Sequence, residues 1–248
     1  RDKRFRNPGN GLQHWPCGWK FRLEGEEVKR ILLIFVLCST VCLAQTFSGV
    51  RIGSSETSTP VSDSDTFDGT ELNTAWGWAP GTGGLYTVSG GSLKIQIGNG
   101  TNEGGNLTGI FKTITGASWT AEILMDFDPT LNYQSAGLWI GNGNNNCDLQ
   151  RAFYTVQRVW NYDTIAGAFT AYFLYGSPAT QSIRLKIQRS NQDFYKFYSA
   201  DGVTYTQMNN TSSYTLPIGN SAIIGIIGGC AGTSNIATAT IYSFTVAK

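Results

Sequence analysis

The stretch SWTAEILMDFD, residues 118–128, alternates without a break. Ala121, Ile123, Met125 and Phe127 fall on one side of an extended chain, and Thr120, Glu122, Leu124, Asp126 and Asp128 on the other. A period of two means a strand with one face buried, because successive side chains of a strand point to opposite faces. The same reading recurs from Asp65 onward in GLYTVSGGSLKIQIG, GNLTGIFKTIT, SAGLWIG, QRAFYTVQRVW, TAYFLYG, SAIIGIIGG and TATIYSFTVAK, with Gly, Asn and Asp between the runs. No segment carries a 3.6-residue period. Strands at this spacing predict an all-β fold, an antiparallel sandwich or barrel. The 30 glycines, 12% aromatics and only 14% charged residues suit that class.

The chain before this pattern reads differently. Residues 1–27 mix charge, Pro and Gly with no apolar period. Residues 28–44 then have the three parts of a secretory signal: Lys29 and Arg30, an apolar run from Ile31, and the small-x-small site Cys42-Leu43-Ala44. This predicts cleavage between Ala44 and Gln45 and a secreted, periplasmic or extracellular product. A signal in mid-chain suggests translation from Val28, with 1–27 an untranslated or unstructured upstream segment; codons for Glu24-Gly25-Glu26 are able to hold a purine-rich ribosome site. Residues 45–62, rich in Ser and Thr, read as a linker, and 63–248 as one domain.

Of the 18 Lys and Arg and 17 Asp and Glu, eight and four fall within the first 44 residues, which leaves a net charge of −3 for the remainder. A mildly acidic domain offers no electrostatic case for nucleic acid or an anionic membrane. No run beyond the signal is long and apolar enough to span a bilayer. His14 is the single histidine and is lost with the signal, so Ser-His-Asp catalysis, Cys-His catalysis and His-ligated zinc are excluded in the mature chain. Cys147 and Cys230 remain, a possible disulfide in an oxidising compartment.

RLKIQRSNQDFYKFYSADGVTY, residues 184–205, reads as a hairpin. Leu185 and Ile187 alternate with Arg184, Lys186 and Gln188, and Tyr195, Phe197 and Ser199 with Phe194, Lys196 and Tyr198. One face is expected to pack between two sheets. The other mixes cations and rings, whose stems and faces lie well together across strands. Lys186 and Lys196 are expected to touch a ligand only if this hairpin extends the binding surface.

The order of these segments resembles a known family. DTFDGTELNTAWGWAP is similar to the first strand and Trp-containing start of the concanavalin A-like jelly rolls found at the C-terminus of bacterial β-xylosidases and in their stand-alone relatives. NYQSAGLWI, the hairpin with its Ser-x-Asp-Gly, and IYSFTVA follow in the family's order over 63–248. The resemblance implies a two-sheet antiparallel jelly roll with sugars lying across a concave sheet. It departs at Tyr242, where the family commonly has an acidic residue that a structural Ca²⁺ would use.

Aromatic rings stack on the apolar faces of sugars while amides and charges bond the hydroxyls. From Tyr154 the even positions run Tyr154, Val156, Arg158, Trp160, Tyr162, an aromatic and cation stripe, and Trp139 is a further candidate. Either face of that strand could be the inward one. The expected role is non-catalytic binding of a polysaccharide or other glycan, with no cofactor. One alternative is glycoside hydrolysis by Glu122, Asp126 and Asp128, in the manner of glucanases that line carboxylates along one strand; Leu124 stands where that pattern has its central acid. The other is an extracellular interaction module without a glycan ligand. Asp63, Asp65 and Asp68 are candidate Ca²⁺ ligands. Trp76 and Trp78 share a face if their segment is extended.

Overall fold

The computed structural model describes residues 63–81, 83–98, 108–142, 144–176, 181–208, 214–230 and 236–248. The chain divides into two units, Arg1–Gln45 and Thr46–Lys248, and the described residues all belong to the second. The upstream segment, the signal and the linker read from sequence lie outside the described residues.

The alternation of residues 118–128 produces strand β5 (Ser118–Asp126), with Ala121, Ile123 and Met125 buried and Thr120, Glu122, Leu124 and Asp126 half-buried. Phe127, just past its end, is buried as well. β5 lies in one antiparallel sheet with β2 (Leu85–Val88), β3 (Leu93–Ile97), β10 (Ser182–Ser190), β11 (Asp193–Ser199), β12 (Thr206–Gln207) and β15 (Ala237–Ala247), in the order β12-β11-β10-β5-β15-β3-β2. β13 (Tyr214–Thr215) adds to β11 as the eighth strand. The second sheet has seven strands in the order β1-β4-β14-β6-β7-β8-β9. They are β1 (Gly77–Ala79), β4 (Thr108–Thr115), β6 (Gln134–Asn142), β7 (Asn145–Tyr154), β8 (Val156–Ile165), β9 (Ala168–Gly176) and β14 (Ser221–Cys230).

The two sheets pack as a sandwich around one apolar core, the architecture expected from the strand pattern. The seven-stranded sheet contributes Ile110, Leu138, Ile140, Leu149, Val159, Ile224 and Ile226; the other contributes Ile95, Ile123, Met125, Leu185, Ile187 and Phe244. Consecutive core residues of a strand lie two apart, except across the bulge of β15, so this list sets the inward parity of the strands that it names.

Three expectations are corrected here. The hairpin of residues 184–205 belongs to the eight-stranded sheet, as β10 and β11, and therefore does not extend the surface that carries Trp139 and Trp160. Its inward residues are Leu185, Ile187, Phe194 and, unexpectedly, Lys196, whose ammonium is 3% exposed and ion-paired with fully buried Asp163 of β8. Asn161 Nδ2 also donates to Asp163, at 2.9 Å. A lysine is tolerated between the sheets because a carboxylate from the facing sheet compensates its lost hydration. Finally, Cys147 and Cys230 are both buried and neither forms a disulfide. Cys147 is in register with Ile140 of β6 and Cys230 with Gln134 of the same strand. Six residues of strand separate those positions by about 20 Å, far beyond the Cα separation of under about 7 Å that a disulfide spans.

Candidate binding face

Leu138 and Ile140 of β6 point into the core, so Trp139 between them points out. Trp139 is paired with Asp148 of β7 and Gly225 of β14. On β7 the core parity is Cys147 and Leu149, which leaves Asp148, Gln150, Ala152 and Tyr154 facing outward. Val159 points inward on β8, so Arg158 and Trp160 point outward, and the register sets them beside Ala152 and Gln150. The even stripe and Trp139 thus share the outer face of the seven-stranded sheet. The side chain of Tyr162 lies outside the described residues, although its backbone continues β8.

Glycines shape the floor of this face. A Cβ on Gly141 would stand 2.5 Å from the Trp139 ring, and one on Gly225 2.6 Å from the Phe111 ring, so each ring lies over a glycine position. The two rings meet edge to face, 5.9 Å between centroids. Accessibility then changes steeply along the face. Trp139, Asp148, Gln150 and Trp160 are buried, Trp160 to 3%. Tyr154 is 36% exposed and Val156 52%, with Arg158 half-buried between. Gln150 Nε2 donates to Asp148, while Gln150 Oε1 is buried with no hydrogen-bond partner. An unpaired buried acceptor costs about 1–3 kcal/mol.

At the open end Tyr133 meets Tyr154, ring centroids 5.5 Å apart and planes tilted by 57°. The Tyr133 phenol is pushed above its ordinary range, chiefly by burial and then by Tyr154. The turn holding Tyr133 is closed by Gln134 Oε1, which accepts from Thr130 N at 2.9 Å and Leu131 N at 3.1 Å. Tyr133 N donates to Phe153 O at 2.8 Å, and Thr155 N to Asn132 Oδ1 at 2.7 Å. Tyr133 at φ 70 and Thr155 at φ 63 both sit in the left-handed region, which bulky and β-branched residues avoid. Arg158 Nε donates to Tyr154 O at 3.3 Å, which brings the guanidinium to the same end of the face.

Of the three carboxylates weighed for hydrolysis, Glu122 and Asp126 stand too far apart to act as a pair. Glu122 and Asp126 lie on the outer face of the other sheet, four residues apart on β5, about 13 Å. That exceeds the roughly 5–10 Å of a glycosidase pair. Glu122 is ion-paired with Arg184 at 2.7 Å and accepts from Tyr205 Oη at 2.6 Å, and Asp126 accepts from Tyr242 Oη at 2.8 Å. Asp128 lies past the end of β5 and accepts from Gln157 Nε2, while Gln157 Oε1 takes a hydrogen bond from Arg151. The polar face of the hairpin is spent on the same cluster: Lys186 Nζ stands 3.4 Å from the Tyr205 ring centroid and 4.9 Å from that of Phe197. The Tyr205 phenol is pushed up to about 12, first by burial and then by its bond to Glu122.

The candidate Ca²⁺ ligands are likewise occupied by protein donors. Asp65 accepts from Phe67 N at 2.8 Å and Trp76 Nε1 at 2.9 Å, Asp68 accepts from Thr66 Oγ1, and Asp63 pairs with Lys248 at 2.6 Å. Lys112 Nζ donates to Asp63 O at 2.9 Å, a cation of the chain's own against that segment. Among the described residues no three His, Cys, Asp or Glu side chains come together. Trp76 and Trp78 both lie toward the core: Trp76 packs edge-on to Phe244 at 5.0 Å, and Trp78, in register with Ile110, packs against the core and meets Tyr86 at 4.8 Å.

Sequence reasoning missed Asp148, Gln150 and Tyr133. The first two were readable by running the even stripe backward from Tyr154 through Ala152. Tyr133 stands in a turn, where alternation carries no information about direction.

The sequence profile of the β-xylosidase C-terminal concanavalin A-like domain matches residues 64–222, more than half of the chain. Among solved structures, the GH43 protein BlXynB of Bacillus licheniformis is similar over 74% of this chain and 38% of its own, with TM-score 0.62 and 16% identity. A xylan β-1,4-xylosidase of Bacillus halodurans is similar over 79% and 41%, with TM-score 0.62 and 12% identity. A functionally unknown protein of Saccharomyces cerevisiae is covered over 96% of its length by 70% of this chain, with TM-score 0.57 and 13% identity. The chain therefore spans about 40% of the GH43 proteins it resembles. No curated protein matches it in sequence. Among the described residues no helix is long and apolar enough to cross a membrane.

Proposed function

As the chain belongs to the β-xylosidase C-terminal concanavalin A-like family, we propose that it is a secreted, non-catalytic carbohydrate-binding sandwich whose glycan docks on the outer face of the seven-stranded sheet. The observation that carries the reading is the outward register of Trp139, Tyr154, Arg158 and Trp160 on three neighbouring strands, with two further polar side chains, Asp148 and Gln150, among them. At the accessible end of this face the Tyr154 ring stacks on a sugar ring and the Arg158 guanidinium bonds hydroxyls, while Trp139, Asp148, Gln150 and Trp160 are enclosed. The carboxylates of the other sheet are engaged in ion pairs and tyrosine bonds and lack the spacing of a hydrolytic pair, so the reading assigns them to structure.

The test is affinity electrophoresis of the mature protein through gels containing xylan, arabinoxylan, β-1,4-glucan or β-1,3-glucan, with reducing-sugar release followed in parallel. Retardation in at least one polymer without sugar release is expected, and Tyr154→Ala or Arg158→Ala abolishes it at unchanged Tm. Trp160 is too enclosed for this purpose, because its truncation costs stability by itself. Free migration in every gel overturns the reading. Export is checked separately: N-terminal sequencing of the secreted product starts at Gln45, and a product retaining Lys29 and Arg30 refutes the cleavage.

A further inference from the structure

We propose that Lys196 and Asn161 close to an intramolecular isopeptide bond that staples the two sheets together, with Asp163 carrying the proton from the amine to the departing ammonia. The three side chains meet between the sheets. Asn161 and Asp163 stand two apart on β8, at the inward parity of Val159, and Lys196 reaches them from β11 of the facing sheet. One carboxylate bridges the two nitrogens. Asp163 Oδ1 is ion-paired with Lys196 Nζ, and Asp163 Oδ2 accepts from Asn161 Nδ2 at 2.9 Å. Asn161 and Asp163 are fully buried and Lys196 is 3% exposed. The neighbours are enclosed as well: Cys147, in register with Asp163, is fully buried, and the Tyr214 ring centroid lies 5.4 Å from Nζ.

An amine and an amide held across one carboxylate react as neighbours. Such positioning is worth an effective molarity of about 10⁵–10⁸ M in well-oriented cases. The ammonium proton moves first, along the ion pair to Asp163, which leaves a neutral amine beside a neutral acid. Burial favours this exchange, since it penalises charged forms and holds the Asp163 carboxyl above its ordinary range. The Nζ lone pair then attacks Asn161 Cγ. Asp163 gives its proton to Nδ2 as the Cγ–Nδ2 bond breaks, takes one back from Nζ, and ends protonated. Lys196 and Asn161 are left joined by one amide and one ammonia departs, so the atoms balance without an oxidant or reductant. The step is slow, because Asn161 Oδ1, on which negative charge develops, is buried without a hydrogen-bond donor. Fresh protein therefore holds the ion pair, and the staple accumulates with age.

The experiment incubates the folded mature protein at room temperature and follows it by intact mass and by tryptic mapping with tandem mass spectrometry. The expected product is lighter by one ammonia and yields a branched peptide joining Lys196 to Asn161. It should reach half of the protein within about ten days, a rate of about 10⁻⁶ s⁻¹. Cyclisation of Gln45 also releases ammonia, so the branched peptide decides and not the intact mass. Protein held unfolded in guanidinium chloride, Lys196→Met and Asp163→Ala are expected not to form the link; the unfolded wild type supplies that comparison where a variant does not fold. Recovery of only unlinked Lys196 and Asn161 peptides from aged folded protein overturns the inference. So does a peptide joining Lys196 to Asp163 with loss of water, which makes the carboxyl the electrophile. A link that forms equally fast in unfolded protein or in Asp163→Ala refutes the role given to the fold or to the proton carrier.

Discussion

Replacing Lys196 by Met tests whether an ion pair lies between the sheets. The unbranched methionine occupies much of the lysine's volume and removes only the ammonium. It leaves the Asp163 carboxylate, fully buried, with Asn161 Nδ2 at 2.9 Å as a neutral donor. Breaking a buried pair from one side costs about 3–5 kcal/mol. In a domain of this size each 1 kcal/mol lowers Tm by roughly 2–4 °C, so a fall of about 6–20 °C is expected. Asp163→Asn alone is expected to cost a similar amount by stranding the ammonium. Asp163→Asn with Lys196→Met is expected to recover most of the loss, since an uncharged replacement of a buried pair is often neutral. The pH dependence has a defined sign. Burial holds the Asp163 carboxyl above its ordinary range, with Lys196 and Asn161 pulling it down. Loss of Lys196 raises it further. A carboxyl with a raised folded pKa contributes stability that is fully present below the unfolded value of about 4 and is lost as pH rises through the folded pKa. The Lys196→Met deficit should therefore shrink as pH is lowered from 7 toward 5. Calorimetric melts across that range provide the assay. A single-variant loss under about 1 kcal/mol, with the wild-type pH slope, refutes the enclosed pair.

Phe127→Ala should cost about 3–5 kcal/mol by leaving a cavity, whereas Asp126→Ala, whose contact is an exposed bond from Tyr242, should stay within about 0.5 kcal/mol; urea melts distinguish them. Thr155→Asn should raise Tm, by roughly 2–4 °C if about 1 kcal/mol of left-handed strain is relieved. Alkaline difference spectra should show a phenol titrating near pH 12 that is missing in Tyr205→Phe. Because the folded pKa of that phenol is raised, its contribution to stability is complete below about pH 10 and is lost as pH rises through about 12. Iodoacetamide labelling followed by mass spectrometry should leave Cys147 and Cys230 unmodified in the native protein and modify both after denaturation; a Cys147–Cys230 linked peptide contradicts the fold.

The inward set of β5 was legible because a period of two leaves a strand only two ways to face, and Ile123, Met125 and Phe127 outweigh Glu122 and Asp126 for burial. The co-facing of Arg158 and Trp160 was legible for the same reason; the single strand expected through Tyr154 instead folds back at Thr155, and Tyr154 joins their face because it pairs with Val156 across that turn. Alternation leaves the sign of a face undetermined wherever both parities are amphipathic. On β8 the aromatics fall on the even parity alone but polar groups occupy both, and only the position of Val159 against the core settled that Trp160 faces out. On β11 the apparent solvent lysine, Lys196, turned inward because its compensating carboxylate sits 33 residues earlier on the facing sheet. Pairings of that kind are set by how the sheets stack, and no local pattern encodes them. Tyr133 and the two cysteines depend likewise on long-range register. The turn before β6 acquires its direction from Phe153 and Thr155 on the β7–β8 hairpin, and Cys147 and Cys230 are kept apart by where their strands align along β6. The strands are properties of local sequence periodicity; the Tyr133–Tyr154 contact and the separation of the two cysteines arise from the register of strands within one sheet, and the enclosed ion pair from side chains that meet only once two sheets have closed on each other.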